Sequence, residues 1–110
     1  MTRTLLLIRH AEAGHTPAGG TDRDRPLTDA GVRQATEIGR LLAAGALPAP
    51  ELVLCSTALR ARTTWKTAED AAGLTVATVV DESLYSAAFD GVMRLLREVP
   101  DDVQAVAVVG

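Results

Sequence analysis

Leu5-Leu6-Leu7-Ile8 is a continuous apolar run, the pattern of a strand covered on both faces by helices. Three more runs follow: Glu51-Leu52-Val53-Leu54-Cys55, Thr75 to Val80, and Ala105-Val106-Ala107-Val108-Val109. Between them the period changes. After Thr28, a good N-cap, Val32, Ala35, Ile38 and Leu42 fall on one helical face, and Arg33, Gln34, Glu37 and Arg40 on another. Ala58, Ala61, Trp65, Ala68 and Ala72 stripe a second helix, and Gly73 supplies its left-handed stop. A third helix runs from about Ala87 to Val99, with Phe89, Val92, Met93 and Leu96 on its inner face and Pro100 ending it. Strands alternating with helices predict right-handed crossovers and a mostly parallel sheet, an α/β fold of three αβα layers.

One connection breaks this rhythm. His10 to Leu27 is long and rich in Gly, Thr, Asp and Pro, and a loop of that length is usually functional or mobile. Pro48-Ala49-Pro50, by contrast, simply turns the chain into the second strand.

Composition narrows the function classes. A chain of 110 residues is one domain long and buries roughly 65% of its unfolded surface, enough to fold without staples. One Trp, one Tyr and one Phe provide no stacking platform for bases, and a net charge of −3 argues against nucleic acid. Cys55 is alone, so it forms no internal disulfide and no zinc-ligand spacing; it is expected to pack as a small hydrophobe in a reducing cytoplasm. Nothing approaches the roughly 20 apolar residues that cross a bilayer, which argues against a membrane role.

In a parallel sheet, ligands bind beyond the carboxyl ends of the strands, where helix N-termini also point. Arg9 and His10 leave the first strand there, Ser56 and Thr57 leave the second, and Arg60 lies in the opening turn of the second helix. Two guanidiniums, an imidazole and a helix N-terminus converging on one point suit a dianionic phosphoryl group. The neighbouring cations favour a neutral His10, able to attack phosphorus without metal or cofactor. Read alone, His10 is an ordinary core or surface histidine; the strand end, Arg9 and Arg60 make the catalytic reading. His15 reads as a solvated loop residue and Trp65 as core. Gly14, Gly19 and Gly20 match neither dinucleotide nor P-loop spacing.

Arg9-His10-Ala11-Glu12-Ala13 after an apolar strand resembles the Arg-His-Gly signature of the histidine phosphatase superfamily, which includes phosphoglycerate mutases; Ala11 stands in place of the glycine. Arg25-Pro26-Leu27-Thr28-Asp29-Ala30-Gly31, followed by Gln34-Ala35, resembles the segment that opens the family's first helix. Ser56-Thr57-Ala58-Leu59-Arg60-Ala61, with Thr64, resembles its Ser-Pro-x-x-Arg-Ala-x-x-Thr element. Leu84-Tyr85, Leu95-Leu96-Arg97 and Pro100-Asp101-Asp102 look most like small bacterial phosphohistidine phosphatases of the SixA type.

The resemblance implies a phosphoglycerate-mutase-like fold. Arg9 and Arg60 would hold the phosphate, His10 would take the phosphoryl group, and Asp81 or, preferably, Glu82 would protonate the leaving group. Glu12 and Arg25 are expected at the pocket rim. The family's last core strand ends in Gly-His, so a second histidine is expected directly after Gly110, in a domain truncated at its C-terminus. The truncation predicts an exposed apolar patch at the last strand and self-association through it. Short connections predict an open cleft suited to a phosphorylated protein, with a small phosphorylated substrate as the other partner class. A degenerate phosphate-binding module and a broad-specificity phosphomonoesterase are the alternative readings.

Overall fold

Residues 3–85 and 89–110 are described by a computed structural model. Four strands, β1 (Thr4–Ile8), β2 (Leu52–Ser56), β3 (Ala77–Asp81) and β4 (Ala105–Val109), form one sheet in the order β1-β4-β2-β3. Every pairing is parallel. Three helices connect them: α1 (Asp29–Ala43), α2 (Leu59–Ala72) and α3 (Phe89–Arg97). The expected start of α3 near Ala87 and the Phe89 side chain lie outside the described residues.

The topology follows from crossover handedness. β1, β2 and β3 progress in one direction across the sheet, so right-handed connections place α1 and α2 on the same face. The step from β3 back to β4 runs the other way and sends α3 to the opposite face. Alternation along the strands supplies a core for each face. Val53, Cys55, Ala107 and Val109 pack with Leu42, Ala61, Trp65 and Ala68 on the first. Leu54, Val106 and Val108 pack with Leu95 and Val99 on the second. Among the described residues, no helix is long and apolar enough to cross a membrane.

Local signals hold at several ends. The Thr28 side chain accepts from the Gly31 amide at 3.0 Å as the α1 N-cap, and Gly73 closes α2 at φ 70°. Ala58, expected within α2, is instead its buried N-cap. Val32 is exposed, contrary to its expected place on the inner face. The buried position is the preceding Gly31, where a Cβ would run into the Glu12 carbonyl.

Two sheet expectations need correction. β4 is not an exposed last strand available for self-association: it lies between β1 and β2, and all five of its residues are buried. Nor does every apolar run have two covered faces. β1 and β3 are edges, leaving Leu5, Leu7, Val79 and Val80 between 45% and 72% exposed. A run of apolar residues reports a strand of a sheet, not whether that strand takes the centre or an edge.

Candidate active site

Register brings the candidate residues to one end of the sheet. Ile8 and Cys55 both pair with Val109, and Ser56 pairs with Asp81. The residues that follow, Arg9-His10, Thr57, Glu82 and Gly110, therefore emerge along the same carboxyl edge.

His10 is fixed by its backbone and by its ring. Its amide donates to the Gly110 carbonyl at 2.8 Å, and the Gly110 amide returns a bond to Ile8 at 3.0 Å. The ring Nδ1 lies 2.8 Å from the Ala11 carbonyl oxygen. A carbonyl only accepts, so Nδ1 carries a proton, and the tautomer this contact selects is the one with its lone pair on Nε2. The next amide, Ala11 N–H, donates to Thr64 Oγ1 at 2.9 Å, and that hydroxyl donates to the Arg60 carbonyl at 2.7 Å. A buried threonine thus ties the turn after His10 to the helix residue that carries the second expected cation.

Arg60, the second residue of α2, has a side chain only 13% exposed. Its guanidinium is gripped by one loop residue: Nη1 donates to the Asp22 carbonyl at 2.9 Å, and Nη2 to Asp22 Oδ2 at 3.1 Å. The 3-10 turn Asp22–Asp24 of the long loop thus leans onto Arg60. Asp22 Oδ2 also accepts from the Tyr85 hydroxyl, and Oδ1 from Arg25 Nη1 at 3.3 Å. The Tyr85 hydrogen bond, then Arg60 and Arg25, hold the Asp22 carboxyl down at about 2.

A second ion pair closes the rim. Arg23 donates through both terminal nitrogens to Glu82, which also accepts from Thr57 Oγ1 at 2.9 Å. Arg23 lies 4.4 Å from the Tyr85 ring centroid and Arg60 lies 5.8 Å from it, so one ring contacts both cations. Among the described residues, the groups that meet the Glu82 carboxylate, Arg23 and the Thr57 hydroxyl, both donate to it. Asp81 is turned inward to its own chain, accepting from Ser83, and that contact lowers its carboxyl pKa.

Arg9 is exposed and makes no hydrogen bond or ion pair among the described residues. Glu12 is taken up by the start of α1: its amide donates to Gln34 and its carbonyl accepts from Thr28. Arg25 anchors the loop, donating from Nε to the Gly14 carbonyl at 2.8 Å. His15 is exposed, and Cys55 is buried in the core with its thiol raised to about 11 by desolvation. Among the described residues, no group of His, Cys, Asp and Glu has the geometry to hold a metal ion.

Sequence reading missed Asp22, Arg23 and Tyr85 as members of this cluster. Tyr85 carried a usable signal, being the only tyrosine and lying just beyond the carboxyl end of β3. Asp22 and Arg23 carried none, because loop charges usually face solvent.

The same order of elements recurs in known proteins. The histidine phosphatase superfamily (branch 1) matches residues 5–103. The chain belongs to this superfamily. An uncharacterized protein of Mycobacterium tuberculosis is 41% identical over 103 residues, which cover 94% of this chain and 61% of the relative. A structure from Nakamurella multipartitia, described as a candidate phosphohistidine phosphatase SixA, matches with a TM-score of 0.86 and 42% identity, over 98% of this chain and 58% of its own. The structure of the protein histidine phosphatase SixA complexed with tungstate matches with a TM-score of 0.81 and 26% identity, over 94% and 66%. The SixA likeness and the phosphoglycerate-mutase-like fold thus stand, while the chain spans about 61% of the length of its mycobacterial relative.

Proposed function

We propose that this chain carries the phosphoryl-accepting part of a phosphatase that hydrolyses phosphohistidine in proteins through a phosphorylated His10. The observation that carries the reading is the His10 ring: Nδ1 is tied to the Ala11 carbonyl, which leaves the Nε2 lone pair as the nucleophile. Arg9 and Arg60 supply the opposing charge, one without a partner among the described residues and the other joined to the His10 turn through Thr64. The tungstate named with the SixA relative is a phosphate-like oxyanion, which supports an oxyanion site at the corresponding place.

In the first step, Nε2 of His10 forms a bond to phosphorus while the substrate N–P bond breaks. Its electron pair leaves with the imidazole, which takes up a proton. Water then attacks the phosphohistidine, the N–P bond to His10 breaks, and inorganic phosphate departs. The two guanidiniums balance the charge on the equatorial oxygens throughout. A protonated imidazole is a good leaving group, so the chemistry asks little of a general acid. That fits a Glu82 engaged by Arg23 and Thr57 as a rim residue.

The test is turnover of a phosphohistidine-bearing protein, with acid-labile label followed on the enzyme. His10→Ala is expected to lower the rate by about three orders of magnitude or more and to abolish the labelled intermediate. Undiminished hydrolysis by His10→Ala would refute the role of His10. Far faster release from small phosphomonoesters would refute the substrate class.

A further inference from the structure

We propose that Asp22 is a positioning residue for the phosphate-binding guanidinium of Arg60, a role that rests on the phosphate-site reading above. Asp22 meets Arg60 with two different acceptors, its backbone carbonyl on Nη1 and its carboxylate on Nη2. Both terminal nitrogens are thereby held by one residue, which sets the plane of the group. Arginine has five N–H donors, so Nε and the remaining terminal hydrogens stay available to an anion. A long, flexible side chain is ordered before the phosphoryl group arrives, and binding does not have to order it.

The grip is itself braced from three directions. The Tyr85 hydroxyl donates to the same carboxylate oxygen that receives Arg60. Arg25 donates to the other oxygen, and is anchored by Nε on the Gly14 carbonyl. The Tyr85 ring lies against Arg23, whose ion pair with Glu82 is fastened in turn to Thr57, three residues before Arg60. An incidental surface ion pair would leave both partners exposed. Here the Arg60 side chain is 13% exposed, and a main-chain carbonyl completes the contact.

The opposite reading of the same geometry makes Asp22 a competitor that occupies Arg60 and is displaced by phosphate. The two roles predict opposite signs. Affinity for inorganic phosphate is measured by calorimetry for the protein, Asp22→Asn, Arg60→Ala and the double variant. Positioning predicts that Asp22→Asn weakens phosphate binding about tenfold when Arg60 is present, and changes it less than about twofold when Arg60 is already alanine. Tyr85→Phe, which leaves the carboxylate in place, is expected to weaken binding in the same direction by a smaller factor, again only with Arg60 present. Tighter binding in Asp22→Asn would make Asp22 a competitor and overturn the proposal. Equal losses in both backgrounds would make its role purely structural and overturn it as well. If Arg60→Ala alone leaves phosphate affinity unchanged, the phosphate-site reading fails first, and that outcome is separate from the other two.

Discussion

The two faces of the sheet are built to different densities. On one, α1 and α2 pack together over Val53, Cys55, Ala107 and Val109. Their crossing is made of small residues: a Cβ at Gly39 would run into the Ala68 carbonyl and the Ala71 side chain, so only glycine lets the helices come this close. On the other face, the nine-residue α3 is the one α-helix among the described residues, and Leu84, Val99 and Val103 beyond its ends complete the cover. A groove of about 450 Å³ lies between β3 and α3, and one of about 140 Å³ between β1 and α3. The difference bears on the site. Arg60 and Thr64 stand on α2, and the loop after His10 leans on the start of α1, so the residues that need fixed geometry rest on the dense face.

The comparison can be broken most forcefully at Trp65, which is buried on the dense face with its indole N–H unpartnered among the described residues. Trp65→Ala is expected to cost about 3–5 kcal/mol in urea unfolding, since the vacated volume is walled by both helices. A loss below about 1 kcal/mol would mean that this face repacks readily and is not the rigid support inferred here.

At the other extreme, Leu7 on β1 is 72% exposed. Leu7→Gln is expected to change stability by no more than about 0.5 kcal/mol, as substitutions at open surface do. A cost several times larger would reveal that a further segment or a second chain covers this edge, and the contrast between the faces would shrink.

The subtlest effect belongs to the rim. The Asp22 carboxyl is held near 2, below its ordinary 3.8, chiefly by the Tyr85 hydroxyl and then by Arg60 and Arg25. A lowered carboxyl pKa stabilises the fold above the ordinary value, and that contribution disappears as pH falls through the lowered one. The NMR signal of the single tyrosine is therefore expected to stay constant down to about pH 4 and to shift only as pH falls toward 2. A transition near pH 4 would mean that the Tyr85 and Arg60 contacts do not hold the carboxylate in solution.

Much of the candidate site was legible because the proposed phosphate chemistry would call for particular residue types at particular places. A strand that ends in Arg9-His10 and a helix that opens with Arg60 announce themselves once the parallel sheet is inferred from period. Glu82 was legible as a neighbour of the site but not as to its partner. Its ion pair to Arg23 spans the loop and the end of β3, two segments far apart in the chain and joined only by folding. Asp22 was hidden for the same reason. A loop aspartate and a helix arginine 38 residues away show no relation in any periodicity.

Local sequence alone determined the helix caps at Thr28 and Gly73, the apolar stripe of α2 and the four strand-forming runs, because each depends on neighbours within a turn or a strand length. Tertiary structure decided which of four similar runs became the buried centre. β4 took that place because the return crossover from β3 inserts it between β1 and β2, leaving the equally apolar β1 at the edge. It likewise decided that one aspartate among the loop charges would hold Arg60. Hydrophobic pattern is a property of a segment, whereas the order of strands and the pairing of charges are properties of how distant segments meet.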